Sequence, residues 1–178
     1  FPLFASAQSN FFLDENGVTV RCPNAQVGDT GVVTINGVGV TFTKRDATML
    51  RNISMGLAPG DISTSCITGV RFLNGLFAGQ RSFNGDISHW DTSSVVDMRQ
   101  MFQDARAFNQ DISHWDTSSV TDMRSLFFDA EAFNQDISQW DTSSVTTMAT
   151  VFAGAIGFNQ PIGAWDVSNV TDMSRMFE

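Results

Sequence analysis

Residues 83–107 read FNGDISHWDTSSVVDMRQMFQDARA, and closely similar sequence recurs three more times. The four copies begin at Phe83, Phe108, Phe133 and Phe158, and their tryptophans are Trp90, Trp115, Trp140 and Trp165. This constant spacing predicts that each copy is one supersecondary unit, which buries its apolar edge against its neighbours. An array of such units offers extended surfaces rather than deep clefts.

A weaker copy precedes these four. GDISTSC at residues 60–66 aligns with GDISHWD at residues 85–91, so Ser65 stands in place of a tryptophan and Cys66 in place of an aspartate. We therefore divide the chain into two parts. Residues 1–58 form an N-terminal arm and a β-rich cap, and residues 59–178 form the repeats.

The cap is predicted to contain a hairpin and a short helix. Alternating apolar residues flank Asn36 and Gly37, which is the strongest short-range signal for a β-hairpin. Asp46 is the expected N-cap of a helix that runs through Ile53, and Gly56 is expected to end it.

The first residues have two readings. An apolar fragment followed by Ala5 and Ala7 resembles the end of a signal peptide, but residues 1–7 fit an ordered N-terminal arm equally well.

Each copy is predicted to pair a strand with a helix. Ile87, Trp90 and Thr92 have the L-x-x-L-x-L spacing of a leucine-rich-repeat strand, and Ser94 with Asp97 resembles a helix capping box. The predicted fold is therefore an α/β solenoid: a leucine-rich-repeat-like, right-handed stack with one short parallel strand and one short helix per repeat, behind the β-rich N-terminal cap. The strand spacing turns the indoles inward, which favours core packing over a sugar-binding platform.

Cysteine usage indicates an oxidising compartment. Cys22 and Cys66 are the only two cysteines, and neither belongs to a CxxC pair. A single disulfide that ties the cap to the weaker copy is the simplest interpretation, and it implies secretion or cell-surface exposure.

Charge is unevenly distributed along the chain. The part up to Ser82 carries six Lys/Arg and five Asp/Glu, whereas the rest carries four Arg and fourteen acids. Nucleic acid is excluded as a partner of the repeats because phosphate binding needs clustered Lys and Arg. No stretch of eighteen apolar residues occurs, so the sequence predicts no membrane-spanning helix.

Sixteen of the nineteen acids are aspartates, and those of the copies hold fixed places. One row comprises Asp91, Asp116, Asp141 and Asp166. Such carboxylates would repel one another at a strand spacing of about 5 Å. Asx turns, in which each carboxylate accepts the N–H of the serine two residues later, are the favoured explanation, and calcium bridging is the alternative.

The repeated residues resemble those of a known protein family. The cassette FNQDISxWD is similar to the BspA-type leucine-rich repeats of bacterial surface and secreted proteins, and ENGVTVRCPNAQVGDTG in the cap resembles sequences that precede such arrays. The resemblance implies a secreted or surface-exposed repeat protein, and adhesion or ligand binding is known for some members of that family. It supplies no catalytic residues.

The predicted function is therefore recognition without catalysis or a cofactor. The strand face is expected to bind a protein or a glycan, and its candidate residues are Ser88, His89, Asp91, Ser113, His114, Asp116, Ser138, Gln139, Asp141 and Asp166. His89 and His114 share one register, but Gln139 breaks the row, which favours variable solvent-facing positions over a metal site. The alternatives are a structural subunit of an extracellular layer or filament, and ice or mineral binding by the Thr, Ser and Asp rows.

The printed sequence stops partway through a cassette, at Met176, Phe177 and Glu178. An unfinished repeat would expose an apolar end. The expectation is that the parent chain continues, or that this end self-associates or packs against another molecule.

Overall fold

Two small β-sheets and one α-helix lie ahead of Phe83 in the computed structural model, which describes residues 10–178. Strands β1 (Phe12–Leu13) and β2 (Val20–Arg21) pair antiparallel. Strands β3 (Thr30–Ile35) and β4 (Val38–Lys44) form an antiparallel hairpin, and β5 (Ser65–Cys66) pairs parallel to β4. The predicted signal remnant or N-terminal arm lies outside the described residues.

The predicted hairpin turn is confirmed. Asn36 and Gly37 have φ angles of 50° and 79°, and positive φ at both central residues is what a type I′ turn requires. The pairing of Ile35 with Val38 closes the hairpin directly beside this turn. Asparagine and glycine tolerate that backbone better than other residues, so the local sequence fixes the register of the sheet.

The predicted helix is also confirmed, as α1 (Ala47–Ser54). The Asp46 carboxylate accepts the N–H of Met49 at 2.8 Å, and Gly56 follows the helix with a φ of 69°. Two α1 side chains then contact the weaker copy that precedes Phe83. The Arg51 guanidinium donates to the carbonyl oxygen of Asn74 and the Ser54 hydroxyl to that of Leu76, both at 2.9 Å.

The fold-class prediction is wrong. The described residues form a mixed α/β fold with two small sheets and one helix, not a leucine-rich-repeat stack. The copies after Phe83 contain turns in place of the predicted strand and helix. Single-residue parallel bridges join equivalent positions of successive copies, and they pair Phe72 with Asp97, Asp97 with Asp122, Asp122 with Thr147 and Thr147 with Asp172.

Backbone geometry explains why no helix forms in the second half of a copy. Gln100 and Asp104 have φ angles of 57° and 54°, and a left-handed residue interrupts an α-helix. The N–H of Gln100 donates to the carbonyl oxygen of Arg124 at 2.9 Å, in the next copy, instead of four residues back. The expected capping box also fails, because the Asp97 carboxylate accepts the N–H of Arg99 at 3.0 Å.

The tryptophans lie in the core, as predicted, and not in an open groove. Trp90, Trp115, Trp140 and Trp165 are at most 8% exposed. Neighbouring indoles in the row are nearly parallel, with centroids 6.2 to 6.4 Å apart. Two phenylalanine rows stack beside them in the same way, which leaves the aromatic faces no room for a sugar.

The indole N–H groups are satisfied in three copies of the four. Those of Trp115, Trp140 and Trp165 donate to the carbonyl oxygens of Ile87, Ile112 and Ile137, respectively, at 3.1 to 3.2 Å. The indole nitrogen of Trp90 is buried, and no described residue accepts its hydrogen. The first tryptophan therefore packs like the others but lacks their hydrogen bond.

The Cys22–Cys66 disulfide is present, with the two Cα atoms 6.3 Å apart. It joins the residue after β2 to the last residue of β5, across 44 positions of sequence. Both half-cystines are buried in a small apolar cluster together with Phe42 and Val33. The disulfide therefore ties the two sheets together beside the first full copy.

Candidate functional site

The row of aspartates along the copies is shaped by Asx turns, as predicted. The N–H groups of Ser118, Ser143 and Ser168 donate to the carboxylates of Asp116, Asp141 and Asp166, respectively, at 2.9 to 3.0 Å. In the first copy the Asp91 carboxylate accepts from Ser93 at 3.4 Å. Each carboxylate is thus held by its own backbone, which fixes its direction.

A second row has the same geometry. The carboxylates of Asp86, Asp111 and Asp136 accept the N–H groups of Ser88, Ser113 and Ser138, respectively, at 2.9 to 3.0 Å. Within residues 10–178, no group of three or more His, Cys, Asp or Glu side chains is placed to hold a metal ion.

The turns also favour the ionised form of these carboxylates. Hydrogen bonds from the Ser143 hydroxyl and N–H lower the pKa of Asp141, and those from the Ser168 N–H and hydroxyl lower the pKa of Asp166. Both carboxylates are exposed and remain ionised at neutral pH. Asp141 and Asp166 therefore present ordered negative charges to the solvent.

The predicted strand face is exposed only from the second copy onward. His114, Asp116, Gln139, Asp141 and Asp166 are exposed, and Ser113 and Ser138 are half-buried beside them. Ser88 is half-buried, whereas His89 and Asp91 in the first copy are 6% and 2% exposed. The ten candidate residues therefore do not form one continuous surface.

The cap covers the first copy. The N–H of Val20 in β2 donates to the carbonyl oxygen of His89 at 2.8 Å, and the Phe42 ring lies 5.1 Å from the imidazole. The His89 Nε2 atom lies 3.2 Å from the carbonyl oxygen of Ser65. Burial lowers the pKa of His89 more than this carbonyl raises it, so the imidazole is neutral at pH 7.

A buried lysine lies close to Asp91. The Lys44 ammonium donates to the carbonyl oxygens of Thr68 and Cys22. Burial lowers its pKa, and the charge of Asp91 opposes that shift. One oxygen of Asp91 has no hydrogen-bond partner among the described residues. His89, Asp91 and Lys44 are therefore part of the junction between the cap and the copies.

Sequence reasoning missed the ladders between copies. The side-chain oxygens of Asn84, Asn109 and Asn134 each accept the N–H of the equivalent asparagine in the next copy at 2.9 Å. Threonine hydroxyls form a second ladder, in which Thr121, Thr146 and Thr171 donate to the carbonyl oxygens of Val96, Thr121 and Thr146, respectively. Identity at equivalent positions of the copies was the available signal for both ladders.

The surface of the copies is acidic. Each of their four arginines, Arg99, Arg106, Arg124 and Arg175, lies within 4 Å of a carboxylate oxygen. The remaining acids of the copies outnumber these cations, so the net field is negative. Within residues 10–178, no helix has the length and apolar character needed to cross a bilayer.

Comparison with known proteins gives one family. The sequence model described as Mycoplasma protein of unknown function, DUF285, matches residues 47–138 and again residues 112–178. Together these matches run from the first residue of α1 to the last copy. No curated protein and no solved structure matches the chain.

Proposed function

The chain belongs to the family described as Mycoplasma protein of unknown function, DUF285, and on that premise we propose that it is an extracellular, non-enzymatic binding protein. Its binding surface is the polar face of the later copies, defined by His114, Asp116, Gln139 and Asp141. The partner is a protein or a glycan.

The observation that carries this proposal is the preorganisation of the exposed carboxylates. Asx turns hold Asp116 and Asp141 in fixed directions, with one backbone hydrogen bond of 3.0 Å each. A surface whose polar groups are already ordered loses little entropy on binding. Ordered carboxylates and hydroxyls provide the acceptors that sugar hydroxyls or basic side chains need.

Two further observations support an extracellular location. The buried Cys22–Cys66 disulfide is typical of proteins from oxidising compartments. The resemblance to BspA-type surface proteins points the same way.

The mineral alternative has weaker support. The hydroxyls of Thr121, Thr146 and Thr171 already donate to backbone oxygens of the preceding copy. The hydroxyls of Thr92, Thr117 and Thr142 are likewise bonded to the next copy, and these side chains are buried. The threonine rows therefore hold the copies together.

Binding to a glycan array and to a panel of purified extracellular proteins tests the proposal. The test variant combines His114→Ala with Gln139→Ala, because both side chains are exposed and neither makes a hydrogen bond to another copy. The matched control combines Thr34→Ala with Thr41→Ala, which removes two exposed polar groups from the hairpin. We expect the test variant alone to lose binding. Equal binding by both variants, or no bound glycan or protein, would contradict the proposal.

A further inference from the structure

A cavity of about 330 Å³ lies where the cap meets the weaker copy that precedes Phe83, between the β4–α1 connection and residues 68–72. Its walls include Val27, Val70 and Phe72, and both Val27 and Phe72 are more than half exposed. Sites for small molecules are mostly apolar cavities of about 300 to 1,000 Å³ with a few polar groups. The cavity is thus large enough for a small ligand with an apolar body.

Cationic side chains that form no ion pair are concentrated here. Six of the ten Lys and Arg residues form ion pairs. Within residues 10–178 the other four, Lys44, Arg45, Arg51 and Arg71, have no carboxylate oxygen within 4 Å, and all but Arg51 line this cavity. Asp46 is the one acid of the lining, and its carboxylate accepts the N–H of Met49. From outside the lining, the charge of Asp91 acts on Lys44 and that of Asp61 acts on Arg45.

The cavity wall also carries an unused backbone donor. In the later copies the N–H groups of Val96, Thr121, Thr146 and Thr171 each donate to the carbonyl oxygen at the equivalent position of the preceding copy. The equivalent acceptor for Arg71 would be Asp46, but the Asp46 carbonyl oxygen accepts the N–H of Leu50 as α1 begins. Among the described residues nothing accepts the Arg71 N–H. Its guanidinium is exposed and lies 6.0 Å from the centre of the Phe72 ring.

We propose that this cavity binds a small carboxylate with an apolar body, such as a medium-chain or aryl-substituted carboxylic acid. The guanidinium and the N–H of Arg71 hold the carboxylate, and the body lies between Val27, Val70 and Phe72. Lys44 and Arg45 are no more than 9% exposed, and their side chains donate to protein oxygens, so Arg71 is the cation available to the ligand. Arg71 is exposed and forms no ion pair with a described residue, so its charge favours an anion over a neutral ligand. It is separate from the polar face proposed above.

Isothermal titration of the full chain with octanoate and phenylacetate tests this site. The neutral amides of both acids serve as isosteric probes. We expect saturable binding of the acids and at least about tenfold weaker binding of the amides, because the amide loses the charge-assisted hydrogen bond. Added salt should weaken only the acids.

Three variants locate the site. Arg71→Gln should weaken acid binding at least about tenfold, and Val27→Glu, which adds an anion at the exposed rim, should do the same. Arg99→Gln is the control, because Arg99 is also exposed but is paired with Asp97. Amides that bind as tightly as acids would overturn the proposal, as would unchanged binding by Arg71→Gln and Val27→Glu, or an equal loss in Arg99→Gln. If Arg71→Gln fails to fold, Val27→Glu decides, because it changes only an exposed loop residue.

Discussion

Trp90 and Trp115 offer a matched pair of core substitutions. Both indoles are at most 3% exposed, and their rings stack with centroids 6.2 Å apart. The Trp115 N–H donates to the carbonyl oxygen of Ile87 at 3.2 Å, whereas the Trp90 N–H is buried without an acceptor among the described residues. Replacing each tryptophan with phenylalanine keeps an aromatic ring and removes the N–H, so the pair isolates that one group.

The expected difference follows from the two environments. Trp115→Phe breaks a buried hydrogen bond worth about 1 kcal/mol net, and Ile87 keeps a second donor in the N–H of Trp90. Trp90→Phe instead removes a buried donor whose unsatisfied state costs about 1 to 3 kcal/mol. The loss of ring area is common to both variants. Trp115→Phe should therefore lower the free energy of unfolding by roughly 2 to 4 kcal/mol more than Trp90→Phe does.

Guanidinium denaturation followed by circular dichroism, with the disulfide intact, measures both free energies of unfolding. Trp140→Phe is the replicate, because its indole donates to Ile112 at 3.1 Å, and it should match Trp115→Phe. The reasoning is refuted if Trp90→Phe is as destabilising as Trp115→Phe.

Three other perturbations have defined outcomes. Burial lowers the pKa of His89, so below about pH 6.5 the unfolded chain binds more protons than the folded chain, and stability falls as the pH falls. In thermal melts, His89→Gln should remove this loss of stability between about pH 7.5 and 5.5. His114→Gln, at an exposed histidine, should retain it. Replacing Cys22 and Cys66 with alanine should lower the free energy of unfolding by about 4 kcal/mol in the chain-entropy model, because the closed loop spans 44 positions, and a loss below about 1 kcal/mol would contradict this. Asp141→Ala should lower the melting temperature while Asp141→Asn, which keeps an acceptor for the Ser143 N–H, largely preserves it; a large rise in melting temperature when calcium is added to the chelator-treated protein would favour the calcium alternative instead.

Local sequence was a good guide where one residue type determines the backbone. Asn36 with Gly37 predicted the hairpin turn, and Asp46 with Gly56 predicted the limits of α1. The same reasoning failed inside the copies. Val95, Met98 and Phe102 are spaced by three and four residues, which fits a helix, but this spacing fits equally well a row of turns whose N–H groups bond to the next copy. Residues with positive φ, such as Gln100, favour the turns over the helix, and a glutamine in the sequence does not predict that conformation.

In the candidate face, too, the local bonds were predictable from the sequence and the burial was not. The aspartate and serine spacing predicted the Asx turns of Asp116 and Asp141, because those bonds are local. Burial of His89 and Asp91 was not predictable, since it depends on where the cap packs in three dimensions. The cavity beside Arg71 was not predictable either, because Lys44 at the end of β4 and residues 68–72 are brought together only by the fold.

The asparagine ladder constrains how a gene of this kind can change length. Each asparagine amide oxygen accepts a backbone N–H of the next copy. An insertion or deletion that is not a whole copy would therefore move that N–H away from its acceptor. Exchange between near-identical copies avoids this, because joining Ala107 to Phe133 recreates the sequence and the neighbours of an existing junction. A gain or loss of whole copies therefore leaves every asparagine bond in register, whereas any other change of length breaks the ladder.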